Sequence, residues 1–247
     1  MKFVDKLKWK FHRLVEELLQ FRAMISAETL LLGDSHAAVF KKPLLQRCRG
    51  GIRVISVSGA TASGMKNPNS STNALKIFKS QIERKKWKRI IFYLGEVDVG
   101  FVIWFRAEKY GLSIEKSAQE ALESYLSVIS HAKLASNAEI AVLSVPWPTI
   151  RDGHQMGEVA NLRSKIKASY SERKNLTLNF NADLKSNSVP REFTYIDFDP
   201  CVCDESGELS VGLYNRNPAD HHYDYDVFSL ILFNNAALRE FIAGGNV

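Results

Sequence analysis

The sequence predicts one α/β domain, a three-layer α/β/α sandwich around a five-stranded parallel sheet, preceded by an extra amphipathic helix. Three observations predict it. Short apolar runs rich in β-branched residues alternate five times with segments of helical periodicity, which right-handed crossovers turn into a parallel sheet covered on both faces. Each run halts at a glycine, a proline or an acid. The 247 residues, 45% hydrophobic and 24% charged, suffice for one such core and leave a second full domain cramped.

The expected division is residues 1–25 for the leading helix and 26–247 for the domain. In the helix, Phe3, Leu7, Phe11, Leu14, Leu18 and Phe21 recur at steps of three and four, with Lys2, Lys6, Lys10 and Arg13 largely off that stripe. Such a helix suits packing on the domain or in a homo-oligomer; the alternative is a peripheral contact with an anionic membrane face. Strands are then expected at Glu28 to Leu32, Ile52 to Ser58, Arg89 to Leu94, Ile140 to Val145 and Phe193 to Phe198. Helices are expected at Ala37 to Gln46, Thr72 to Lys88, Ser113 to Ala135, residues 155–186 and Val227 to Ile242. The apolar stretch Val99 to Phe105 reads as a buried connection or a lip over the site.

Composition narrows the function. The net charge of +6 is spread through helical segments and forms no basic tract interleaved with aromatics, so no nucleic-acid partner is expected. Three cysteines, Cys48, Cys201 and Cys203, are too few for a disulfide framework and suit a reducing compartment. No apolar run approaches the roughly 18 to 20 residues of a membrane span, and the first residues lack a signal-peptide pattern. The expected location is cytoplasmic, with the inner face of the membrane as the place of any peripheral contact.

Four sequence-distant points are expected at one sheet edge: Ser35 after the first strand, Gly59 after the second, Gly95-Glu96-Val97-Asp98 after the third, and Asp220-His221-His222 before the last helix. The carboxyl ends of parallel strands are where open α/β sheets place their chemistry. A serine nucleophile needs a histidine to take its proton, an acid to orient that imidazole, and donors for the oxyanion. In an extended segment Asp220 and His222 point the same way and His221 turns aside, which leaves His221 as the fallback base. As a bland alternative, Ser35 is a cap and the triplet a solvated turn. A metal reading joins Asp220, His221, His222, Asp224 and Asp226 with Cys201 and Cys203, but their spacing matches no standard zinc pattern. His36, His12, His131 and His154 suggest no partner. Asp34 reads as a structural loop acid, and Trp147 as either core or a sugar-stacking wall.

Gly33-Asp34-Ser35-His36, the isolated Gly59, the Gly-Glu-Val-Asp block and the Asp-x-His before the final helix together resemble the SGNH/GDSL hydrolase superfamily, whose fold is flavodoxin-like. The resemblance implies Ser35 as nucleophile, His222 as general base, Asp220 as its orienting acid, and the Ser35 and Gly59 N–H groups as oxyanion donors. It implies a serine esterase or deacetylase without cofactor, acting on a small-molecule or glycan acyl ester, with acetyl esters of polysaccharides in view. Glu96 and Asp98 would shape the pocket and bind substrate, or else cap a strand end. The superfamily's third block has an asparagine donor where this chain has Val97, and losing one donor costs about 10²–10³ in rate. Two alternatives stay open: a carbohydrate O-acyltransferase, and a non-catalytic glycan-binding module. A flavodoxin-like cofactor or phosphoryl binder ranks below both, because no glycine-rich phosphate loop follows the first strand.

Overall fold

The computed structural model describes residues 3–48, 50–153, 157, 161 and 166–245. Five parallel strands, β1 (Thr29–Gly33), β2 (Ile52–Ser56), β3 (Arg89–Tyr93), β4 (Glu139–Leu143) and β5 (Thr194–Ile196), form one sheet in the order β2-β1-β3-β4-β5. β1 and β3 are buried along their whole length, as central parallel strands with both faces covered must be. Successive side chains alternate between faces: Leu30, Leu32, Ile90, Phe92 and Val142 pack with Phe78, Tyr125 and Phe180, while Leu31, Ile91 and Leu143 pack with Phe40, Phe228 and Leu232.

Because the chain moves outward from β1 to β2 and then returns past it to β3, the order reverses between β1 and β3, and a crevice opens there at their carboxyl ends. The two strands run in flush register, Gly33 beside Tyr93. A Cβ on Gly33 would lie 2.2 Å from the Tyr93 carbonyl oxygen and 2.7 Å from Ala37 Cβ. Glycine at this position therefore lets the chain turn into the site without spreading the sheet.

The leading helix, Phe3–Ser26, uses Gln20 to close the exposed edge of β2: the amide oxygen accepts from Val54 N–H at 3.1 Å and its nitrogen donates to the Ile52 carbonyl at 3.5 Å. An edge strand covered in this way cannot template another chain. Ala23 and Ala27 are buried beneath the helix end. The described part of the expected packing stripe faces the other way, with Phe11, Leu14, Leu18 and Phe21 between 54% and 64% exposed, and Ile25 continues it at 70%. Attachment to the domain thus runs through a polar edge contact and small residues, and the apolar stripe is left outward. The side chains of Lys2, Phe3, Lys6, Leu7 and His12, and all of His154, lie outside the described residues. None of the described helices is long and apolar enough to cross a membrane.

Four expectations change. The helix expected at Ala37 to Gln46 is a 3₁₀ turn, Ser35–Lys41, and a separate short helix, Pro43–Gln46, begun by its proline. Val99 to Phe105 is helical, a π-type turn at Asp98–Val102 running into a helix at Ile103–Tyr110 that ends on Gly111. Of the helix expected at residues 155–186, residues 155, 156, 158–160 and 162–165 lie outside the described residues, Asn161 is helical, and a helix runs over Tyr170–Arg191, started by a capping box in which Ser169 and Glu172 bond each other's backbone N–H. The closing helix breaks into Tyr225–Asn234 and Ala236–Ala243, because Asn235 leaves helical geometry and caps the second through Leu238 N–H. Hydrophobic periodicity carries across such a break, so it is invisible to pattern alone.

Asp98, fully buried, holds the loop after β2 in place by accepting the N–H groups of Ala62 at 2.5 Å and Ser63 at 3.0 Å. Burial pushes its carboxyl up to about 6, against the pull of those hydrogen bonds. Its folded-state value lies above the unfolded one, so the folded form holds the proton longer and stability drains away as pH rises from about 4 to about 6.

Two outcomes are expected. Gly33→Ala should destabilise the fold by about 1–3 kcal/mol, read as a lowered urea midpoint, because the new methyl meets backbone that cannot yield. Asp98→Asn loses an acceptor at every pH but also removes the titration. The stability difference favouring the native chain should therefore be larger at about pH 4.5 than at about pH 7, by about 2 kcal/mol in urea unfolding; a constant difference would contradict the burial argument.

Candidate active site

Ser35 opens a 3₁₀ turn, Ser35–Lys41, directly after β1, and Asp34 caps it through a hydrogen bond from His36 N–H at 2.8 Å. The first N–H groups of such a turn have no partner within it. The Ser56 hydroxyl donates to the Asp34 carbonyl at 2.8 Å, and Tyr225 Oη donates to the Ser35 carbonyl at 3.2 Å. These two contacts fix the serine between the end of β2 and the start of the last helical pair.

Across the crevice, Asp220 Oδ1 accepts both the backbone N–H of His222 at 3.0 Å and its Nδ1–H at 2.6 Å. That assignment of the ring proton follows from the carboxylate partner, and it leaves Nε2 with the lone pair. His222 Nε2 is buried and has no hydrogen-bond partner among the described residues, the Ser35 hydroxyl included. Burial and then the neighbouring His36 lower the His222 pKa, opposed by Asp220 and Glu96, so the ring is neutral near pH 7. Burial alone would raise the Asp220 carboxyl, but the two bonds from His222 outweigh it and hold the group below the ordinary carboxylate range.

His36, for which the sequence suggests no partner, belongs to the same cluster. It is only 5% exposed, and its ring centroid lies 4.6 Å from that of His222 and 5.5 Å from that of His221. Its Nδ1 is 3.1 Å from Asp34 Oδ1, the same carboxylate oxygen that accepts its backbone N–H. The arrangement repeats that of Asp220 and His222, and the signal was available: Asp34-x-His36 and Asp220-x-His222 share one spacing.

His221 does not turn aside. The segment is an aspartate-anchored turn and not an extended strand, so the rings of His221 and His222 stand 4.1 Å apart on the same side. Thr149 Oγ1 donates to the His221 carbonyl and ties this turn to the segment after β4.

The remaining expectations sort by contact. Gly59 is an exposed residue at φ +71 in the turn after β2. Glu96 is buried and lies within electrostatic reach of His222. Asp98 spends both oxygens on the loop backbone and so holds structure, not substrate. Trp147 is 5% exposed with its ring nitrogen on Asp199 at 2.9 Å, which makes it core and removes it as a sugar-stacking wall. Of the earlier metal set, Asp224 caps the helix at Tyr225 and pairs with Arg216, while Asp226 pairs with Lys42. Neither joins the histidines.

No family model matches the chain, and no curated protein matches it. Solved structures do. A Bacteroides fragilis protein provisionally described as an acylhydrolase superposes with a TM-score of 0.57 at 12% identity, covering 87% of each chain. A GDSL-like lipase from Bacteroides thetaiotaomicron gives 0.55 at 12% identity, over 86% of this chain and 87% of that one. A variant of an acetyl-xylooligosaccharide esterase from Geobacillus gives 0.52 at 16% identity, over 86% and 93%. With its five-stranded parallel sheet flanked by helices and these superpositions, the chain has the fold of the SGNH/GDSL hydrolases.

Proposed function

We propose that the protein is a serine-dependent carboxyl-ester hydrolase, an esterase or deacetylase working through an acyl-serine intermediate. The observation that carries this reading is the Asp220–His222 bond of 2.6 Å, which leaves a buried Nε2 without a partner among the described residues, on a ring packed against that of His36, the residue after Ser35. A neutral ring with its lone pair on Nε2 meets the requirement of a general base.

In the proposed reaction Ser35 Oγ attacks the ester carbonyl as His222 Nε2 takes its proton, and Asp220 stabilises the imidazolium that forms. The oxyanion is met by the N–H groups of Ser35 and Gly59. The imidazolium then protonates the leaving alcohol, and a water activated by the same ring releases the acid. The acyl group is proposed to be an acetyl carried by a carbohydrate, a substrate class supported by the printed activity of the Geobacillus esterase. Val97, at the position of a third donor, favours one competing reading, a glycan-binding module on the same fold that turns nothing over.

A fluorophosphonate probe with intact-mass readout decides between them. One probe adduct is expected on the native chain and none on Ser35→Ala, with labelling and p-nitrophenyl acetate hydrolysis both falling by at least about 10³ in His222→Ala and about 10²–10⁴ in Asp220→Asn. Absence of labelling on the folded native chain sinks the hydrolase and leaves the binding module.

A further inference from the structure

Three imidazoles converge at this site, more than an ester hydrolase needs. One ring nitrogen from each of His36, His221 and His222 lies within 4.8 Å of the other two. Around a tetrahedral zinc with Zn–N of about 2.0–2.1 Å, ligand nitrogens stand about 3.4 Å apart, so small ring rotations of the order of 1 Å complete the set.

The surroundings are those of a metal site. Ligating histidines almost always donate their second ring N–H to a carboxylate, which fixes tautomer and orientation. Here two of the three do so, His36 to Asp34 and His222 to Asp220. Both carboxylates also bind the backbone N–H of the same residue, so each ring is anchored at two points. Asp34, Asp220 and the buried Glu96 place three carboxyl groups close to the rings, a counter-charge for a dication. A set of nitrogen donors without thiolate selects zinc, copper or nickel over magnesium and calcium.

We infer that His36, His221 and His222 form a binding site for one divalent transition-metal ion of the zinc class. Because such an ion takes the His222 lone pair, it also blocks the general base; that second half rests on the proposed hydrolase reading, whereas the binding itself does not.

The probes are zinc in isothermal titration calorimetry and cobalt(II) in visible absorption, on the full chain after chelator treatment. One ion per chain is expected at micromolar affinity or tighter, with cobalt d–d bands of tetrahedral or five-coordinate intensity. His36→Gln and His221→Gln should each weaken binding by at least about tenfold, Asp34→Asn by about 10–100-fold, and His131→Ala, whose half-buried ring faces Glu83 outside the cluster, not at all. The cobalt spectrum of the native chain needs no variant, so a misfolded mutant cannot hide the result. Titrated zinc should also suppress fluorophosphonate labelling of Ser35 in step with occupancy. The inference is overturned if 100 µM zinc gives no stoichiometric binding, or if binding survives in both His36→Gln and His221→Gln. Zinc binding without labelling in the metal-free chain supports the ion site and removes the hydrolase; labelling without zinc binding does the reverse.

Discussion

An aspartate two residues ahead of a histidine can grip it twice, through the backbone N–H and through Nδ1, with a single carboxylate oxygen. Asp34 holds His36 in this way and Asp220 holds His222. The grip does three things at once. It closes a turn where the chain leaves regular structure, it settles which ring nitrogen carries the proton, and it aims the other into the crevice. Without it neither ring would be held in one tautomer and orientation, and the serine of the proposed reaction would lose its aligned base.

The sheet supplies the distance. Residues 34–36 and 220–222 are far apart in sequence, and they meet only because β1 sits beside β3 at the reversal of strand order. Glycine at position 33 permits the flush approach of β1 to Tyr93, and Asp98 braces the loop after β2 that carries the other side of the crevice. That brace costs stability at neutral pH, since an ionised carboxylate is kept out of water. The chain spends it on the geometry of Ala62 and Ser63, next to Gly59, and so on the edge where an oxyanion would be received.

How much of this was legible beforehand follows from which signals are local. All five strands lie within the expected segments, give or take two residues at an end, because short β-branched runs ended by glycine, proline or acid are self-contained signals. Asp220, His222 and Ser35 could be singled out from spacing and resemblance. The repeated Asp-x-His spacing marks His36 as a histidine gripped like His222, but not as its neighbour, because a histidine becomes a member of a cluster only when another loop arrives beside it. Trp147, read as either core or site wall, is core, and Asp98, read as a substrate contact or a strand-end cap, spends its oxygens on backbone, for the converse reason. Both follow strands whose ends face the site, yet their partners, Asp199 for one and the Ala62–Ser63 backbone for the other, turn them inward. The outward stripe of the leading helix shows a further limit: periodicity identifies an apolar face but not what it faces, and here a single glutamine on the edge of β2 decides the orientation.

A general base and a metal ligand make the same demand on imidazole. Each needs the neutral ring, the proton on Nδ1 and an accessible lone pair on Nε2, and each is improved by a carboxylate behind Nδ1. The pairing that would make His222 a competent base therefore makes it a competent ligand as well. What separates the two uses is the number of rings within reach. A lone His222 could serve only the serine, whereas the presence of His36 and His221 beside it gives an ion two further contacts that a proton cannot exploit. Competition between proton and ion for one lone pair is thus a consequence of the cluster itself, and its balance depends on the two rings that a serine mechanism leaves unused.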